Sequence, residues 1–147
     1  MSSTGSISSS YKYLCRVSYP DNSLNQDIKR LSELWHKVQA DRGRDAIYDY
    51  LTAVYGLIEW WAVERRAVER AERALRITGL LVSEDPDPFA SVIAASIAPD
   101  RLDRRKASKY ARVLRLAFGR HCRAKELKDF IKNRGGINAC IAAGRRR

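Results

Sequence analysis

Apolar residues recur at helical spacing in two neighbouring segments of the chain. In each segment the steps between them are four, three, four and three residues, which is the a/d pattern of about two heptads. The first segment contains Leu24, Ile28, Leu31, Trp35 and Val38, and the second contains Ile47, Leu51, Val54, Ile58 and Trp61. Because only the polar residues 41–45 separate the two segments, we predict two helices packed as an antiparallel αα-hairpin.

The first of these helices is predicted to begin at Ser23, and the second to continue well beyond Trp61. Ser23 and Gln26 have the spacing of a capping box, in which each side chain accepts from the other's backbone N–H. Residues 59–77 contain neither glycine nor proline. We therefore predict one helix of about 30 residues, ~45 Å long, that ends at Gly79. The C-terminal half of such a helix would protrude or meet a partner.

The residues before the hairpin carry a different pattern. Residues 11–19 alternate Tyr, Cys and Val with other side chains before Pro20, which predicts a short strand. With no second strand in the sequence, this segment either pairs with itself across a dimer or forms irregular extended chain, and we prefer the second. Residues 1–10 are rich in serine and lack the apolar core of a secretory signal, so we expect a disordered tail.

A short connecting helix is predicted after the loop that follows Gly79. Asp87 and Pro88 form a strong start signal, since the carboxylate caps the helix and proline fits its first position. The apolar face of this helix consists of Phe89, Val92, Ile93 and Ile97. It is predicted to end near Pro99.

Positive charge is concentrated in the last third of the chain. Residues 101–147 contain sixteen Lys or Arg and three acids, a net charge of +13, whereas residues 1–100 carry a net charge of −2. A segregated charge of this size attracts polyanions, and it weakens the compact state unless an anion compensates it. Nucleic acid is therefore the leading candidate partner, ahead of an acidic protein or a membrane surface.

Within the basic region the charged residues follow helical spacing. At 100° per residue, one arginine row falls within about 80° of the helix circumference, opposite an apolar face. The row consists of Arg101, Arg105, Arg112 and Arg115, and the apolar face of Tyr110, Val113, Leu114 and Ala117. A second helix, predicted over 124–133, places Leu127, Phe130 and Ile131 inward and Lys125, Lys128 and Lys132 outward.

Gly135 and Gly136 predict a tight turn before a short final helix over 137–143. The succession of helix, turn and helix suggests a helix-turn-helix motif, but the match is partial. Ile131 stands where that motif usually has a small residue, and Asn138 is the one base-reading side chain on the would-be recognition helix. Major-groove reading could equally come from the arginine row.

These patterns predict an all-α protein in four parts: a flexible segment at 1–22, a hairpin and dimerisation region at 23–78, a connector at 79–100 and a basic helical region at 101–147. The predicted function is a non-enzymatic nucleic-acid-binding regulator or architectural protein, with DNA preferred to RNA, in the bacterial cytoplasm or nucleoid. The predicted nucleic-acid contacts are Arg101, Arg105, Lys109, Arg112, Arg115, Lys125, Lys128, Lys132, Arg134, Asn138, Arg145, Arg146 and Arg147.

The same patterns predict a homodimer, because symmetric assembly would place two basic units on one duplex. The residues predicted to form its interface are Leu24, Ile28, Leu31, Trp35, Ile47, Leu51, Val54, Ile58 and Trp61. The alternative function is a protein–protein adaptor that binds its partner through the heptad helices and their aromatic residues.

The sequence predicts no enzyme, cofactor, metal or membrane partner. It contains no P-loop, no G-x-G-x-x-G, no H-E-x-x-H and no nucleophile elbow, and no apolar run reaches membrane length. Cys15, Cys122 and Cys140 are widely spaced, which suits a reducing compartment, and a structural zinc site needs four ligands. His36 lies inside a heptad pattern and His121 in a basic turn, and a lone histidine of either type is more often structural or solvated than catalytic.

Three segments of the C-terminal half resemble a group of small uncharacterised proteins encoded in alphaproteobacterial genomes, often near plasmid or mobile-element genes. The segments are SKYARVLRL at 108–116, LKDFIK at 127–132 and GGINAC at 135–140, with a fainter likeness over 45–61. The resemblance implies a bacterial cytoplasmic setting, and that group has no known function to carry over.

Overall fold

The structure, a computed structural model, describes residues 20–40, 44–80, 82, 87–97 and 104–145. Within these ranges it contains seven α-helices, one 3₁₀ turn and no strand, which confirms the all-α prediction. The helices are α1 (Asp21–Ala40), α2 (Arg44–Val63), α3 (Ala67–Ile77), α4 (Pro88–Ser96), α5 (Arg104–Gly119), α6 (Leu127–Asn133) and α7 (Ile137–Arg145), and the 3₁₀ turn spans Ala124–Glu126. The predicted serine-rich tail and short strand lie outside the described residues.

The apolar rows of the first two helices are buried, and α1 packs against α2. From α1 the buried members are Leu24, Ile28, Leu31 and Trp35, and from α2 they are Leu51, Val54, Ile58 and Trp61. Helix α1 begins at Asp21, two residues before the predicted start at Ser23. The periodicity therefore identified the buried face of both helices correctly.

Helix α2 ends at Val63, so the prediction of one long helix to Gly79 is wrong. Its last carbonyls are satisfied by two backbone hydrogen bonds, from Arg66 N–H to Trp61 C=O and from Arg65 N–H to Ala62 C=O, both 2.9 Å. This is the Schellman pattern of a helix end, which needs one residue in the left-handed conformation. Arg65 takes that conformation with a φ of 60°. Glycine usually fills this position, so the arginine found there is not a recognisable stop signal.

Helix α3 packs onto the rest of the molecule and does not protrude. It contacts α1, α2 and α4, and its buried residues are Arg70, Ala71, Ala74 and Leu75. The guanidinium of Arg70 is 2.7 Å from a carboxylate oxygen of Glu64 and lies 5.6 Å from the ring centroid of Trp60. The predicted end at Gly79 is confirmed, with a φ of 78° there and a hydrogen bond from Leu80 N–H to Leu75 C=O.

Helix α4 lies at the centre of the fold, where only a connector was expected. It contacts α1, α2, α3 and α5. Six of its nine residues are buried, namely Phe89, Ser91, Val92, Ile93, Ala95 and Ser96. The predicted start is confirmed, since the Asp87 carboxylate accepts hydrogen bonds from the N–H groups of Phe89 and Ala90 at 3.3 and 3.4 Å. A helix that is apolar nearly all round belongs inside a core rather than between two parts.

The basic helices share this core. Buried residues from α5, α6 and α7 join the same hydrophobic cluster as those of α1 to α4. Two contacts fix the junction: Tyr55 donates a 2.7 Å hydrogen bond to the carbonyl of Cys122, and the ring of Phe118 packs edge-on against Phe89 at 5.7 Å. The C-terminal third is therefore built onto α2 and α4, and this attachment fixes where its charged residues stand.

Candidate nucleic-acid interface

One exposed face of α5 carries three cations in a row. Arg105, Lys109 and Arg112 are spaced i, i+4 and i+7, so they lie above one another on the helix surface. The opposite face holds the buried residues Ala107, Ala111, Leu114 and Ala117. Arg105 and Arg112 are exposed and Lys109 is half-buried. Burial of the alanine-rich face against the core thus determines the outward direction of the cations.

Helix α7 packs beside α5, and between them lies an open recess of about 630 Å³. We call this recess the α5–α7 groove. One wall is formed by α5 and the other by α7. The α5 wall consists of Arg105, Ser108, Lys109 and Arg112, and the α7 wall of Asn138, Ile141 and Ala142.

The lining of the α5–α7 groove includes three cations and no acid. Lys109 and Arg112 make no ion pair with any carboxylate in the described ranges, so their charges face solvent in the groove. Cations held close together in a groove lined by no acid raise the local concentration of anions. The groove therefore provides a site for a ligand that carries several negative charges.

Arg115, predicted to belong to the same row, is directed elsewhere. Its guanidinium is 2.5 Å from a carboxylate oxygen of Asp87, the residue that caps α4. The pair is partly exposed, with 48% of the Arg115 side chain and 20% of the Asp87 side chain accessible. The row is thus shorter than predicted, and Arg101, its predicted first member, lies outside the described residues.

The lysines of α6 face α2 and do not line the α5–α7 groove. Lys128 is 3.4 Å from a carboxylate oxygen of Asp45, and the Lys132 ammonium lies 5.6 Å from the ring centroid of Tyr48. The prediction grouped these lysines with the arginine row as one footprint, whereas the structure places the two sets at different sites. The cause is tertiary packing, because α6 rests on α2 and α5 while its charged face meets the start of α2.

The remaining predicted contacts are spread around the same end of the chain. Lys125 is exposed on the 3₁₀ turn, and Arg134 is half-buried with its guanidinium 4.7 Å from the ring centroid of Phe130. Arg145 is the last residue of α7. Arg146 and Arg147 lie outside the described residues.

The predicted tight turn at Gly135 and Gly136 is confirmed, and it positions α7. Both glycines have left-handed backbone conformations, with φ of 97° and 108°. Hydrogen bonds from Gly136 N–H to Ile131 C=O and from Gly135 N–H to Lys132 C=O close the end of α6. The chain then reverses into α7, which brings Asn138 to the α5–α7 groove. The helix-turn-helix identity of this unit stays a prediction.

The residues predicted to form a dimer interface are part of the chain's own core. Leu24, Ile28, Leu31, Trp35, Leu51, Val54, Ile58 and Trp61 are buried, with at most 7% of each residue accessible, and Ile47 is half-buried against the same cluster. Side chains packed inside one folded copy cannot at the same time contact a second copy. The homodimer stays a prediction, but these residues do not provide its interface.

Ser108 and Ala142 line the groove but were not predicted from the sequence. Ile141 was predicted only as an inward-facing residue of a helix-turn-helix motif. Ser108 lies three residues after Arg105 and four before Arg112, so a helical wheel of α5 would have placed it on the cationic face. Ala142 lies four residues after Asn138 on α7. No signal in the sequence indicated that α7 would pack beside this face of α5.

The two thiols in the described residues, Cys122 and Cys140, lack the features of reactive cysteines. Burial raises the pKa of Cys122 and of Cys140 above the ordinary thiol value, which leaves both as poor nucleophiles. No cluster of three His, Cys, Asp or Glu suited to a metal ion occurs within the described ranges.

No protein-family model, no curated protein and no solved structure matches this chain. The resemblance to small alphaproteobacterial proteins therefore stays a prediction. Among the helices that the structure describes, none combines the length and the apolar character needed to cross a bilayer.

Proposed function

We propose that this protein is a non-enzymatic nucleic-acid-binding protein, with DNA preferred to RNA, and that the α5–α7 groove is its contact surface. One observation carries the proposal: three cations stand in a row on an exposed helix face, in a groove without an acid. The net charge of +13 over residues 101–147 supports it, because a strongly basic segment attracts a polyanion.

The spacing of the row suits a chain of phosphates. Seven residues of α-helix span about 10 Å, the distance along the axis from Arg105 to Arg112. Successive phosphates of one strand advance about 3.4 Å along a duplex axis, so three cations match about three phosphates. Arginine can hold a phosphate through two parallel N–H donors, while Lys109 supplies a point charge. Each phosphate neutralised releases condensed counterions, which makes binding depend strongly on salt.

The biological role that fits this proposal is that of a regulator or architectural protein in the bacterial cytoplasm, associated with the nucleoid. Asn138 is the only amide side chain in the groove lining, and amides are suited to contact base edges. The α5 wall can hold phosphates, and phosphate contacts carry little sequence information. We therefore propose strong sequence-independent attraction with a limited base preference.

A salt series tests the proposal. Binding of fluorescein-labelled duplex DNA, single-stranded DNA and RNA is followed by fluorescence anisotropy between about 50 and 200 mM salt. The test variant changes Arg105, Lys109 and Arg112 to Ala. The matched control changes Arg30, Lys37 and Arg120 to Ala, which removes the same charges from exposed positions outside the groove.

We expect the groove variant to lose most of its affinity and to lower the slope of log K against log salt by about 2 to 3, since each lost phosphate contact removes about 0.7 to 0.9. The control variant should keep most of the slope. Equal losses in the two variants would show that the groove is not the contact surface. No binding by the wild-type protein at low salt would remove the proposed function itself.

The adaptor alternative has less support. Its heptad residues are buried, and the large apolar side chains most exposed in the described part of the chain are Trp60, Val63, Val68 and Phe118. Phe118 packs against Tyr55 and Phe89, and the Trp60 ring lies beside the buried Arg70. No observation identifies a partner for the remaining valines.

A further inference from the structure

The cations of α5 stand in a recess between two helices, not on a ridge. The recess measures about 630 Å³, within the ~300–1,000 Å³ typical of pockets that hold small organic ligands. A volume of this size accepts a part of a polymer, such as one nucleotide with its neighbouring phosphates. Ligand and protein would then meet along two walls instead of one face.

The width of the helix pair argues against insertion into the major groove of a duplex. That groove is about 12 Å wide and admits one α-helix, which is about 10–12 Å across with its side chains. Packed helices lie about 8–10 Å apart between axes, so two side by side are roughly 20 Å wide. Because α7 flanks the cationic face of α5 and shares its recess, α5 cannot present that face to the floor of a major groove alone.

The two walls of the α5–α7 groove differ in chemistry. The α5 wall is cationic, whereas the α7 wall offers the amide of Asn138 beside the aliphatic side chains of Ile141 and Ala142. Phosphate needs cations and hydrogen-bond donors, and it gains nothing from an aliphatic surface. A ligand with an anionic side and a flat apolar side matches both walls. A nucleotide has this composition, with its phosphate on one side and the face of its base on the other.

The face of a base is accessible only when the base is unpaired and unstacked. An intact duplex stacks its bases and shows the protein phosphates, sugars and base edges. A single strand can place phosphates along a basic groove while a base turns toward the other wall. The composition of the groove therefore favours a single strand over an intact duplex.

We infer that the α5–α7 groove binds single-stranded nucleic acid, with the backbone along Arg105, Lys109 and Arg112 and an unpaired base against Ile141 and Asn138. This inference rests on the proposed function and deepens it, because it specifies the state of the nucleic acid. Phosphates position the strand, and the Asn138 amide discriminates between bases through their polar edges.

The test compares a single strand with a blunt duplex of the same length at the same salt, using fluorescein-labelled oligonucleotides and the full chain. A surface that recognises charge alone prefers the duplex, whose higher charge density releases more counterions per phosphate, about 0.9 against 0.7. We expect the opposite order, with the single strand bound roughly tenfold tighter than the duplex. A duplex bound as tightly as the single strand, or more tightly, overturns the inference and leaves the proposed function standing.

Two uncharged substitutions probe the α7 wall. Ile141→Ser removes the aliphatic contact, so we expect several-fold weaker binding of single strands with an unchanged salt slope and unchanged duplex binding. Asn138 is exposed, and we expect Asn138→Ala to reduce the differences in affinity among oligo-dA, oligo-dC and oligo-dT. If Asn138→Ala leaves those differences intact, the groove does not hold the base as inferred. Absence of binding to every nucleic acid tested overturns the inference together with the proposed function.

Discussion

Arg65 and His121 each take the left-handed backbone conformation, with φ of 60° and 58°. Each follows a helix, and each closes it with the same pair of hydrogen bonds. After α5, the N–H of Cys122 bonds to Ala117 C=O at 3.0 Å, and the N–H of His121 bonds to Phe118 C=O at 3.1 Å. This conformation costs a residue with a Cβ about 1–2 kcal/mol. The hydrogen bonds and the packing of the following helix offset that cost.

Replacing Arg65 by glycine should stabilise the protein. Glycine adopts the left-handed conformation without strain. Its greater conformational entropy in the unfolded chain opposes folding and offsets part of this gain. We expect a net increase of about 0.5–1 kcal/mol in the free energy of unfolding, measured by urea denaturation. The control is Glu33→Gly, at an exposed position inside α1, which should lower the free energy by about 1 kcal/mol. Similar losses in both variants would contradict the helix end assigned at Val63.

Tyr50 should make the protein less stable in alkaline solution. Its hydroxyl forms a 2.5 Å hydrogen bond with Ser96 Oγ, in which either hydroxyl can be the donor, and Ser96 Oγ also lies 3.0 Å from Ile93 C=O. Burial raises the pKa of Tyr50 above its ordinary value near 10, against the smaller opposite effect of the Ser96 hydrogen bond. Above about pH 10 the unfolded chain loses this proton while the folded chain keeps it, so the free energy of unfolding falls as pH rises.

The measurement is urea denaturation at several pH values from about 8 to 11, for wild type and Tyr50→Phe. In the alkaline range the free energy of unfolding should fall less steeply with pH in the variant than in the wild type. The difference in slope should reach up to about 1.4 kcal/mol per pH unit, since one titrating group is removed. A residual slope is expected from Tyr55, whose pKa burial also raises. Identical slopes for the two proteins would show that Tyr50 ionises equally in both states.

At the scale of the helices, the ends marked by specific residues could be predicted and the others could not. Asp87 with Pro88, Gly79, and the pair Gly135 and Gly136 mark boundaries that the structure confirms. Each of them has a chemical reason to stop or start a helix. The end of α2 depends instead on Arg65 in a conformation that its residue type disfavours. Local sequence could not reveal that end, because the packing of α3 on α4 and α1 selects it.

The central position of α4 was also missed, although the sequence contained a signal for it. Residues 88–98 include no charged side chain, which is unusual for a helix that faces water. The prediction used four apolar residues to define one face and left the small residues unassigned. Ser91, Ala95 and Ser96 are buried as well. Small side chains at these positions let four neighbouring helices approach α4 closely.

The start of α4 allows the contributions of capping and ion pairing to be separated. Asp87→Ala removes both the cap and the partner of Arg115, so we expect a loss of about 1–2 kcal/mol in the free energy of unfolding. Asp87→Asn keeps a side-chain oxygen that caps well and removes only the charge. Arg115→Ala removes only the ion pair, which is partly exposed and therefore worth about 0–1 kcal/mol.

Chemical denaturation of these three variants gives the order of the losses. We expect Asp87→Ala to be the most destabilised, with Asp87→Asn and Arg115→Ala similar to each other and close to wild type. If Asp87→Asn loses as much as Asp87→Ala, the ion pair and not the cap holds the start of α4.

At the scale of the whole molecule, an apolar row on a helix does not say which molecule covers it. The a/d spacing of α1 and α2 fits contact with a second copy and contact with the rest of the same chain equally well. In this protein α3 and α4 cover the rows, and both helices come from segments for which no covering role was predicted. The distinction depends on contacts between distant residues, which periodicity does not encode.

The candidate site shows the same limit. A count of charges and a helical wheel predicted Arg105, Lys109, Arg112 and Asn138, which line the α5–α7 groove. The same reasoning also predicted Arg115 and Lys128, which do not line the groove. It could not exclude them, because their partners Asp87 and Asp45 are far away in the sequence. Which cations line the groove is thus a property of the tertiary structure.

One shared core predicts one cooperative unfolding transition. All three tryptophans, Trp35, Trp60 and Trp61, lie in α1 and α2, so their fluorescence reports on the first part of the chain. Far-UV circular dichroism reports on every helix, including the basic ones. Because the Tyr55 hydroxyl bonds to Cys122 C=O and Phe118 packs on Phe89, loss of α5 would uncover the face of α4. The two signals should therefore change together in urea, as expected for a two-state domain.

The contrary result is easy to recognise. If residues 101–147 folded as a separate basic unit, helicity would fall in two steps, and one step would leave tryptophan fluorescence unchanged. The Phe118→Ala variant sharpens the comparison, since it weakens the junction between α5 and α4 without changing charge. In a shared core it should shift both signals to lower urea by the same amount, whereas in two independent units it would shift the circular dichroism signal alone.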